Sequence, residues 1–269
     1  MVKDVGQDAR GIIAPDAGLT QFRMDRFAPS TEINRLVDRY WLIRWDLDEP
    51  FTQRVYPHPV VNVVFQPGAG TVNGVATRVD SRELAGEGWA LGVMFRPAGF
   101  RPLTDGPLTA LRDREVALDR VFGSEGTGLS DAVNAASTAE DRIAEIETFL
   151  AARLPAGRHP AEDTAALVER IAANPSSARV ESLAREERVS TRQLQRRFAD
   201  HVGLSPKNVV RRYRLYEAAE RVRHGTAVDW ADLAATLGYS DQPHLSRDFT
   251  AVIGVSPGRY TQLCGAPAA

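Results

Sequence analysis

Two short stretches in the second half of the chain carry side chains that can form hydrogen bonds to the edges of DNA bases. These polar residues are Arg192, Gln195 and Arg196 in the first stretch and Gln242, His244, Ser246 and Arg247 in the second. Arginine can bond guanine through two hydrogen bonds, glutamine can do the same to adenine, and serine suits either base. An ordinary polar helix surface has a similar composition, so the residue types alone leave both interpretations open.

Charge is distributed unevenly along the chain. The whole sequence of 269 residues has a net charge of −2, which taken alone argues weakly against a nucleic-acid partner. Residues 1–159 carry a net charge of −4, whereas residues 160–269 carry +2. Within the second half, residues 179–223 hold 12 basic against 6 acidic side chains. This asymmetry favours a nucleic-acid-binding segment, although a solvated arginine-rich helix face would produce the same count.

Several classes of protein are excluded by composition and motif. No stretch approaches the ~20 apolar residues of a membrane-spanning helix, and the single cysteine, Cys264, rules out a disulfide framework. His58 is the only histidine before residue 159, so the first half cannot build a three-histidine metal site. Neither a phosphate-binding loop nor a GxSxG elbow occurs. We therefore expect a cytoplasmic protein with no catalytic activity, no metal, no cofactor and no membrane contact.

One segment occurs twice, with a period of 50 to 51 residues. The copies are LAREERVSTRQLQRRFADHVGLSP (183–206) and LAATLGYSDQPHLSRDFTAVIGVSP (233–257). The matched positions are Leu194 and Leu245, Phe198 and Phe249, Gly203 and Gly254, and the two Ser-Pro pairs that end the copies. A matched set of apolar, glycine and Ser-Pro positions indicates one supersecondary unit present twice.

Each copy predicts two helices joined by a tight turn, which is the helix-turn-helix unit whose second helix enters the DNA major groove. The first unit is expected at about 180–202 and the second at about 230–253. Ser190 is expected to cap the second helix of the first copy, and Ser240 or Asp241 that of the other. An amphipathic spacer helix over 206–223, with its arginines outward, would hold the two recognition helices about one DNA turn (~34 Å) apart.

Residues 161–265 resemble the DNA-binding domain of the AraC/XylS family of transcription regulators. The motifs that carry this resemblance are LA-x5-S-x3-L-x3-F, GLSP, LAATLGYSDQPHLSRDF and GVSPGRY. The resemblance implies binding to double-stranded promoter DNA, with the seven polar residues named above as base readers. Charge and placement add four candidate phosphate contacts: Arg197, Lys207, Arg211 and Arg259.

The first turn departs from the family pattern. Leu237-Gly238 in the second copy is typical of the family, whereas the first copy has Glu187-Arg188. If this turn needs a positive φ, Arg188 would be strained by about 1 kcal/mol, and the geometry of the first unit would differ.

Residues 1–155 predict a separate α+β domain. Short Val- and aromatic-rich runs at 41–45, 60–65, 71–75 and 90–95 favour an antiparallel sandwich or barrel, and 137–154 predicts a helix that begins in a capping box at Ser137. The motifs HPVVNVVFQ, VNGVATR and GVMFRPAGFRPL resemble the cupin-like N-terminal domain of an uncharacterised AraC-type subgroup. The resemblance implies sensing of a small molecule or pairing of two chains.

An effector pocket, if present, would draw on aromatic and polar residues of these strands. The candidates are Trp41, His58, Phe65, Trp89 and Arg96, although aromatic side chains in alternating strands more often form plain core. The whole pattern predicts a sequence-specific transcription regulator, with RNA polymerase, a small-molecule effector and a second copy of the chain as further candidate partners. The alternative is an enzyme or small-molecule-binding protein that uses its helix-turn-helix half only for tethering to DNA.

Overall fold

The computed structural model describes residues 20–223 and 228–264 and begins with one antiparallel β-sheet. Its six strands follow the order β1-β2-β5-β3-β4-β6. Their bounds are Arg23–Phe27 (β1), Val37–Val55 (β2), Asn62–Gln66 (β3), Ala69–Asn73 (β4), Asp80–Phe95 (β5) and Glu115–Ala117 (β6). The predicted antiparallel sheet is confirmed, and the described strands all belong to a single sheet.

Strands β2 and β5 form the backbone of this sheet and are longer than the sequence predicted. They span 19 and 16 residues and pair in register with Trp41 opposite Gly92. Tyr40 and Leu42 are fully buried, whereas Trp41 and Ile43, which alternate with them, are partly exposed. This alternation shows that the two faces of the sheet have different surroundings.

Ten α-helices follow the sheet in the described part of the chain. Their bounds are Leu118–Phe122 (α1), Ser124–Ala135 (α2), Ala139–Ala151 (α3), Pro160–Ala173 (α4), Val180–Glu186 (α5), Thr191–His201 (α6), Pro206–Arg223 (α7), Trp230–Thr236 (α8), Gln242–Ile253 (α9) and Pro257–Leu263 (α10). Helix α3 begins one residue later than predicted, because Thr138 rather than Ser137 caps it by accepting a hydrogen bond from the Asp141 amide at 3.1 Å. None of the described helices combines the length and apolarity needed to cross a membrane.

Two large apolar clusters and one small one around Phe22 and Leu84 hold the described part of the chain together, and the largest crosses the predicted domain boundary. It runs from the sheet through α1–α4 to α6, so that Phe65, Ile146, Leu167 and Phe198 belong to one continuous core. The second large cluster contains α8–α10 and the C-terminal half of α7, and Tyr56 is the buried residue of the first half that joins it. The first helix-turn-helix unit therefore shares its core with the sheet, whereas the second has a core of its own.

Candidate nucleic-acid interface

The two repeated segments fold into equivalent pairs of helices, α5–α6 and α8–α9. Ser190 caps α6 in a reciprocal capping box with Gln193, whose backbone N–H lies 3.2 Å from the Ser190 hydroxyl. Asp241, and not Ser240, caps α9 by accepting a hydrogen bond from the His244 amide at 2.7 Å. Because an N-cap residue satisfies backbone N–H groups that a helix leaves unpaired, these two residues determine where each recognition helix begins.

The turns of the two units have the same geometry although their residues differ. Arg188 adopts a φ of +56° and Gly238 a φ of +73°. In each unit the residue after this position donates to a carbonyl five residues earlier, Val189 to Ala184 at 3.0 Å and Tyr239 to Ala234 at 2.9 Å. The departure from the family sequence therefore leaves the first turn unaltered and places a non-glycine residue in a left-handed conformation.

Replacement of Arg188 by glycine is expected to stabilise the protein by about 1 kcal/mol, because glycine adopts a positive φ without the steric cost of a Cβ atom. In a chain of this size the gain corresponds to an increase of about 2–4 °C in the melting temperature. Thermal unfolding followed by circular dichroism measures it, with Arg192→Gly as the control that should destabilise. A melting temperature that is unchanged or lower in the Arg188→Gly variant would contradict the expectation.

Glu187 stabilises this turn in place of the apolar residue of the second copy. Its carboxylate forms ion pairs with Arg170 at 2.7 Å and with Arg197 at 2.8 Å. Although burial raises the pKa of Glu187, the two guanidinium groups outweigh it and hold the pKa below its usual value. At the equivalent position, Leu237 is 1% exposed and packs in the second core.

The outer face of α6 is exposed and unengaged. Leu194 and Phe198 are fully buried beneath it, four residues apart on one side of the helix. Arg192, Gln195 and Arg196 are exposed on the other side, and their side chains form no hydrogen bond within the described part of the chain. Their donors and acceptors are therefore available to a partner.

The outer face of α9 resembles that of α6. Gln242 and Arg247 are exposed, and Ser246 is half-buried. His244 is also exposed, but its ring packs edge-on against Tyr239 with centroids 5.1 Å apart, and its Nδ1 lies 3.1 Å from the Ser240 hydroxyl. All four predicted residues are thus at least partly exposed on α9, and the ring of His244 is held by two of its neighbours.

The four candidate phosphate contacts fall into two groups. Lys207 and Arg259 are exposed in the first turns of α7 and α10. Arg197 is occupied by its ion pair with Glu187, and Arg211 lies 2.7 Å from an Asp248 carboxylate oxygen. Because nearby carboxylates already pair with Arg197 and Arg211, we retain Lys207 and Arg259 as the candidate phosphate contacts.

The spacer helix was predicted with all its arginines outward, and Arg212 is an exception. This residue is 4% exposed, and its guanidinium group donates a hydrogen bond to the carbonyl oxygen of Pro57 in the first half of the chain. Burial lowers the pKa of Arg212. Helical periodicity alone could not identify this inward position, because the acceptor lies 155 residues away in sequence.

The five predicted pocket residues are not brought together. Trp41 and His58 line a large cavity on the partly exposed face of the sheet. Phe65 is fully buried on the opposite face, Trp89 lies beneath the guanidinium group of Arg142, and Arg96 donates to Glu169 of α4 at 2.9 Å. The last three are therefore structural residues outside this cavity, and alternation along the strands explains why Phe65 and Trp41 point in opposite directions.

Residues 54–58 connect the sheet to the second helix-turn-helix unit, and the sequence did not indicate this contact. Arg54 donates to the carbonyl oxygen of Gly254 at 3.2 Å, where α9 ends. Tyr56 and Tyr260 share a short hydrogen bond between their hydroxyl groups. Together with the Arg212–Pro57 contact, these bonds attach residues 54–58 to α7, α9 and α10. We call residues 54–58 the clamp.

Comparison with known proteins identifies both halves of the chain at the level of domains. Residues 183–262 match the model of a family described as a helix-turn-helix domain. Residues 25–117, which extend from β1 to β6, match the model of a domain of unknown function (DUF6597). No curated protein matches the sequence.

Solved structures similar to this chain include several regulators. The C-terminal domain of AraT, a response regulator from Geobacillus stearothermophilus, is 26% identical over 39% of this chain and 85% of its own, with a TM-score of 0.35. A transcriptional regulator of the AraC-type DNA-binding class from Chromobacterium violaceum is 23% identical over 38% of this chain and 91% of its own, with a TM-score of 0.34. ToxT from Vibrio cholerae is 11% identical over 90% of this chain and 98% of its own, with a TM-score of 0.41.

Proposed function

Because the chain carries an AraC-type helix-turn-helix domain over residues 183–262, we propose that it is a sequence-specific DNA-binding transcription regulator. The observation that carries the proposal is the pair of equivalent, exposed faces on α6 and α9. Each presents arginine and glutamine side chains suited to the major-groove edges of guanine and adenine. Such a protein acts where promoter DNA is found, in the cytoplasm.

Each chain is proposed to read two successive major-groove segments. Helix α7 joins the two units, and its 18 residues correspond to a length of about 27 Å. This length is comparable to the ~34 Å that separates successive turns of the major groove along one face of the duplex. Residues buried at both ends of α7, such as Val209 and Val222, anchor it in both cores and support its role as a rigid spacer.

The N-terminal domain is proposed to control the second unit through the clamp. Tyr56 is 6% exposed and packs in the core of the second unit, and the clamp also contacts the spacer helix through Arg212. A change in the sheet near residues 54–58 would therefore alter the position of α9 relative to α6. Pairing of two chains and contact with RNA polymerase remain predictions.

The salt dependence of DNA binding tests the proposed function. Replacement of Lys207 by alanine is expected to weaken binding to all duplexes by a similar factor and to reduce the slope of log K against log[salt] by about 1, because one phosphate contact is lost. Fluorescence anisotropy of a duplex enriched from a random pool measures both quantities. Arg120→Ala, at an exposed position of helix α1 in the first half, should leave the slope unchanged. An unchanged slope in the Lys207→Ala variant would remove this phosphate assignment, and absence of duplex binding by the wild type would refute the function.

A further inference from the structure

Arg188 occupies a turn position at which an L-amino acid is strained, and no contact of its side chain within the described chain offsets that strain. Its φ of +56° lies in the left-handed region, where a Cβ atom comes too close to the backbone and glycine is preferred. The side chain is exposed, and its guanidinium group forms neither a hydrogen bond nor an ion pair with the residues that the structure describes. Backbone outliers of this kind concentrate at ligand-binding positions, so Arg188 indicates a contact outside the chain.

The other non-glycine residues with a positive φ in the described part of the chain are held by their side chains. Ala98 has a φ of +64° and is 3% exposed in the main core. Asp113 has a φ of +56°, and its carboxylate accepts a hydrogen bond from the Thr77 hydroxyl at 2.8 Å. Arg188 therefore differs from both, because its side chain has no comparable contact.

The backbone hydrogen bonds of the turn impose the conformation of Arg188. Its N–H donates to the carbonyl oxygen of Arg185 at 3.1 Å, and the N–H of Val189 donates to that of Ala184 at 3.0 Å. This is the Schellman arrangement, which usually has glycine at the position of Arg188. Val189 then packs against the main core, and Ser190 caps α6. The turn is thus fixed from both sides, and the Cβ atom of Arg188 is fixed with it.

The carboxylates next to Arg188 in sequence do not neutralise its charge. The Glu187 carboxylate is already engaged by Arg170 and Arg197. Glu186 is exposed and forms no ion pair within the ranges 20–223 and 228–264. The positive charge of Arg188 is therefore available to an anionic partner.

Three guanidinium groups without a partner among the described residues follow one another at intervals of four residues. They belong to Arg188, Arg192 and Arg196, whereas every other arginine between residues 179 and 223 forms a hydrogen bond or an ion pair. Arg192 and Arg196 lie one helical turn apart on the exposed side of α6. Arg188 extends this row of positive charge into the turn that precedes the recognition helix.

The turn of a helix-turn-helix unit lies close to the DNA backbone. The first helix of the unit crosses the backbone, and the N-terminal residues of the second helix contact base edges. The turn between the two helices is therefore placed at the edge of the groove, where phosphates are within reach of a long side chain. Arginine suits a phosphate especially well, because its planar guanidinium group can donate two parallel hydrogen bonds to the phosphate oxygens.

The equivalent turn of the second unit cannot offer this contact. A Cβ atom at Gly238 would lie 3.0 Å from Nη2 of Arg179 and 3.5 Å from the carbonyl oxygen of Ser176. Arg214 also donates a hydrogen bond to the carbonyl oxygen of Gly238 at 3.3 Å. The loop before α5 thus covers the second turn, whereas Arg188 in the first turn is exposed.

We propose that Arg188 is a phosphate contact of the first unit, at the edge of the major groove that α6 enters, and that it has no counterpart in the second unit. This proposal rests on the proposed function, because it adds a contact to the same DNA interface. The strained conformation at this position then has opposite effects on the two properties of the protein. It lowers the stability of the fold, and it holds a charge at the groove edge that strengthens DNA binding.

Two substitutions of Arg188 separate charge from strain. Arg188→Gln keeps a side chain at the strained position, whereas Arg188→Gly removes both the charge and the strain. Both are expected to bind the selected and a scrambled duplex about three- to tenfold more weakly and to reduce the slope of log K against log[salt] by about 1. The glycine variant should do so with a higher melting temperature, which excludes unfolding as the cause. Arg120→Gln, an exposed control on α1, should leave the slope unchanged, and wild-type affinity in both Arg188 variants would overturn the proposal.

Duplexes with single neutral phosphates locate the contact. Each carries one methylphosphonate group in place of a phosphate, and the wild type and Arg188→Gln are titrated with the whole series. At one position the wild type is expected to lose about three- to tenfold in affinity and Arg188→Gln to lose little more, because either change removes the same interaction. That position should lie in the half-site whose base preference changes in Arg196→Ala and not in Arg247→Ala. Equal losses of the two proteins at every position would overturn the assignment.

The wild type distinguishes failure of this inference from failure of the proposed function. If the wild type bound no duplex enriched from a random pool, the proposed function itself would be refuted. If the wild type bound its duplex and Arg188→Gln kept the same affinity and salt slope, only the phosphate contact would be refuted.

Discussion

Replacement of Arg196 and Arg247 by alanine together is expected to reduce affinity for the selected duplex by about 10² to 10⁴-fold. Each arginine can contribute about 1–3 kcal/mol of base discrimination through a bidentate contact with guanine. The two side chains lie on different recognition helices, so their effects should add. Both are exposed, and truncation leaves the buried positions Leu194 and Leu245 untouched. The fold should therefore survive while specificity is lost.

The measurement compares specific with non-specific DNA. Anisotropy titrations give the specificity ratio, which is the affinity for the selected duplex divided by the affinity for a scrambled duplex. This ratio should decrease most in the double variant and by a smaller factor in each single variant. Arg120→Ala makes the same chemical change on α1 and should preserve the ratio. If the double variant kept the full ratio with an unchanged melting temperature, neither arginine would be a base reader.

Replacement of Phe198 or Phe249 by alanine is expected to destabilise the protein by about 3–5 kcal/mol, with different consequences along the chain. Both rings are fully buried at equivalent positions of the repeat. Phe198 belongs to the core that contains the sheet, so its loss should weaken α6 and the strands together. Phe249 packs against Trp230 and Tyr260 at centroid distances of 5.3 and 5.4 Å, so its loss should loosen the second unit while the sheet stays protected.

Hydrogen exchange followed by mass spectrometry distinguishes these outcomes. In Phe249→Ala, peptides from 228–264 should exchange faster than in the wild type, and peptides from β2 and β5 should keep their rates. In Phe198→Ala, peptides from the first unit and from the strands should both accelerate. Identical exchange patterns in the two variants would show that the second unit does not have a separate core.

Most features of residues 161–265 were predictable because the sequence patterns that indicate them are local. Caps act over three residues and apolar pairs over four, so Ser190 and the pair Leu194–Phe198 could be located from spacing alone. Comparison with Gly238 raised the condition that position 188 needs a positive φ, and the structure shows that Arg188 adopts one while the turn keeps the geometry of the second copy. In the first half, the same kind of reasoning identified the antiparallel strands but not their length, because β2 and β5 continue into polar residues that stabilise each other only by pairing.

The candidate pocket residues are divided where long-range pairing decides the outcome, since two of the five line the cavity. Trp41 and Arg96 were both plausible on type, but one lines the cavity and the other is held by Glu169, a residue 73 positions away. Arg26 and Gln53 were not singled out, because nothing in their immediate sequence shows that the sheet encloses them. Strand order and register, which the chain reveals only when folded, bring these side chains to one cavity.

The two helix-turn-helix units, their spacer and the polar residues of α6 and α9 proposed to read DNA could be located from the sequence, since they depend on periodicity and caps within a few residues. The ion pairs of Arg197 and Arg211 became visible only in the folded chain, because their partner carboxylates lie 10 and 37 positions away. Tertiary structure also decided that the first unit shares a core with the sheet and that Tyr56 meets Tyr260 across 204 residues. Contacts of that range depend on how the sheet and the helices pack together, and no local pattern encodes them.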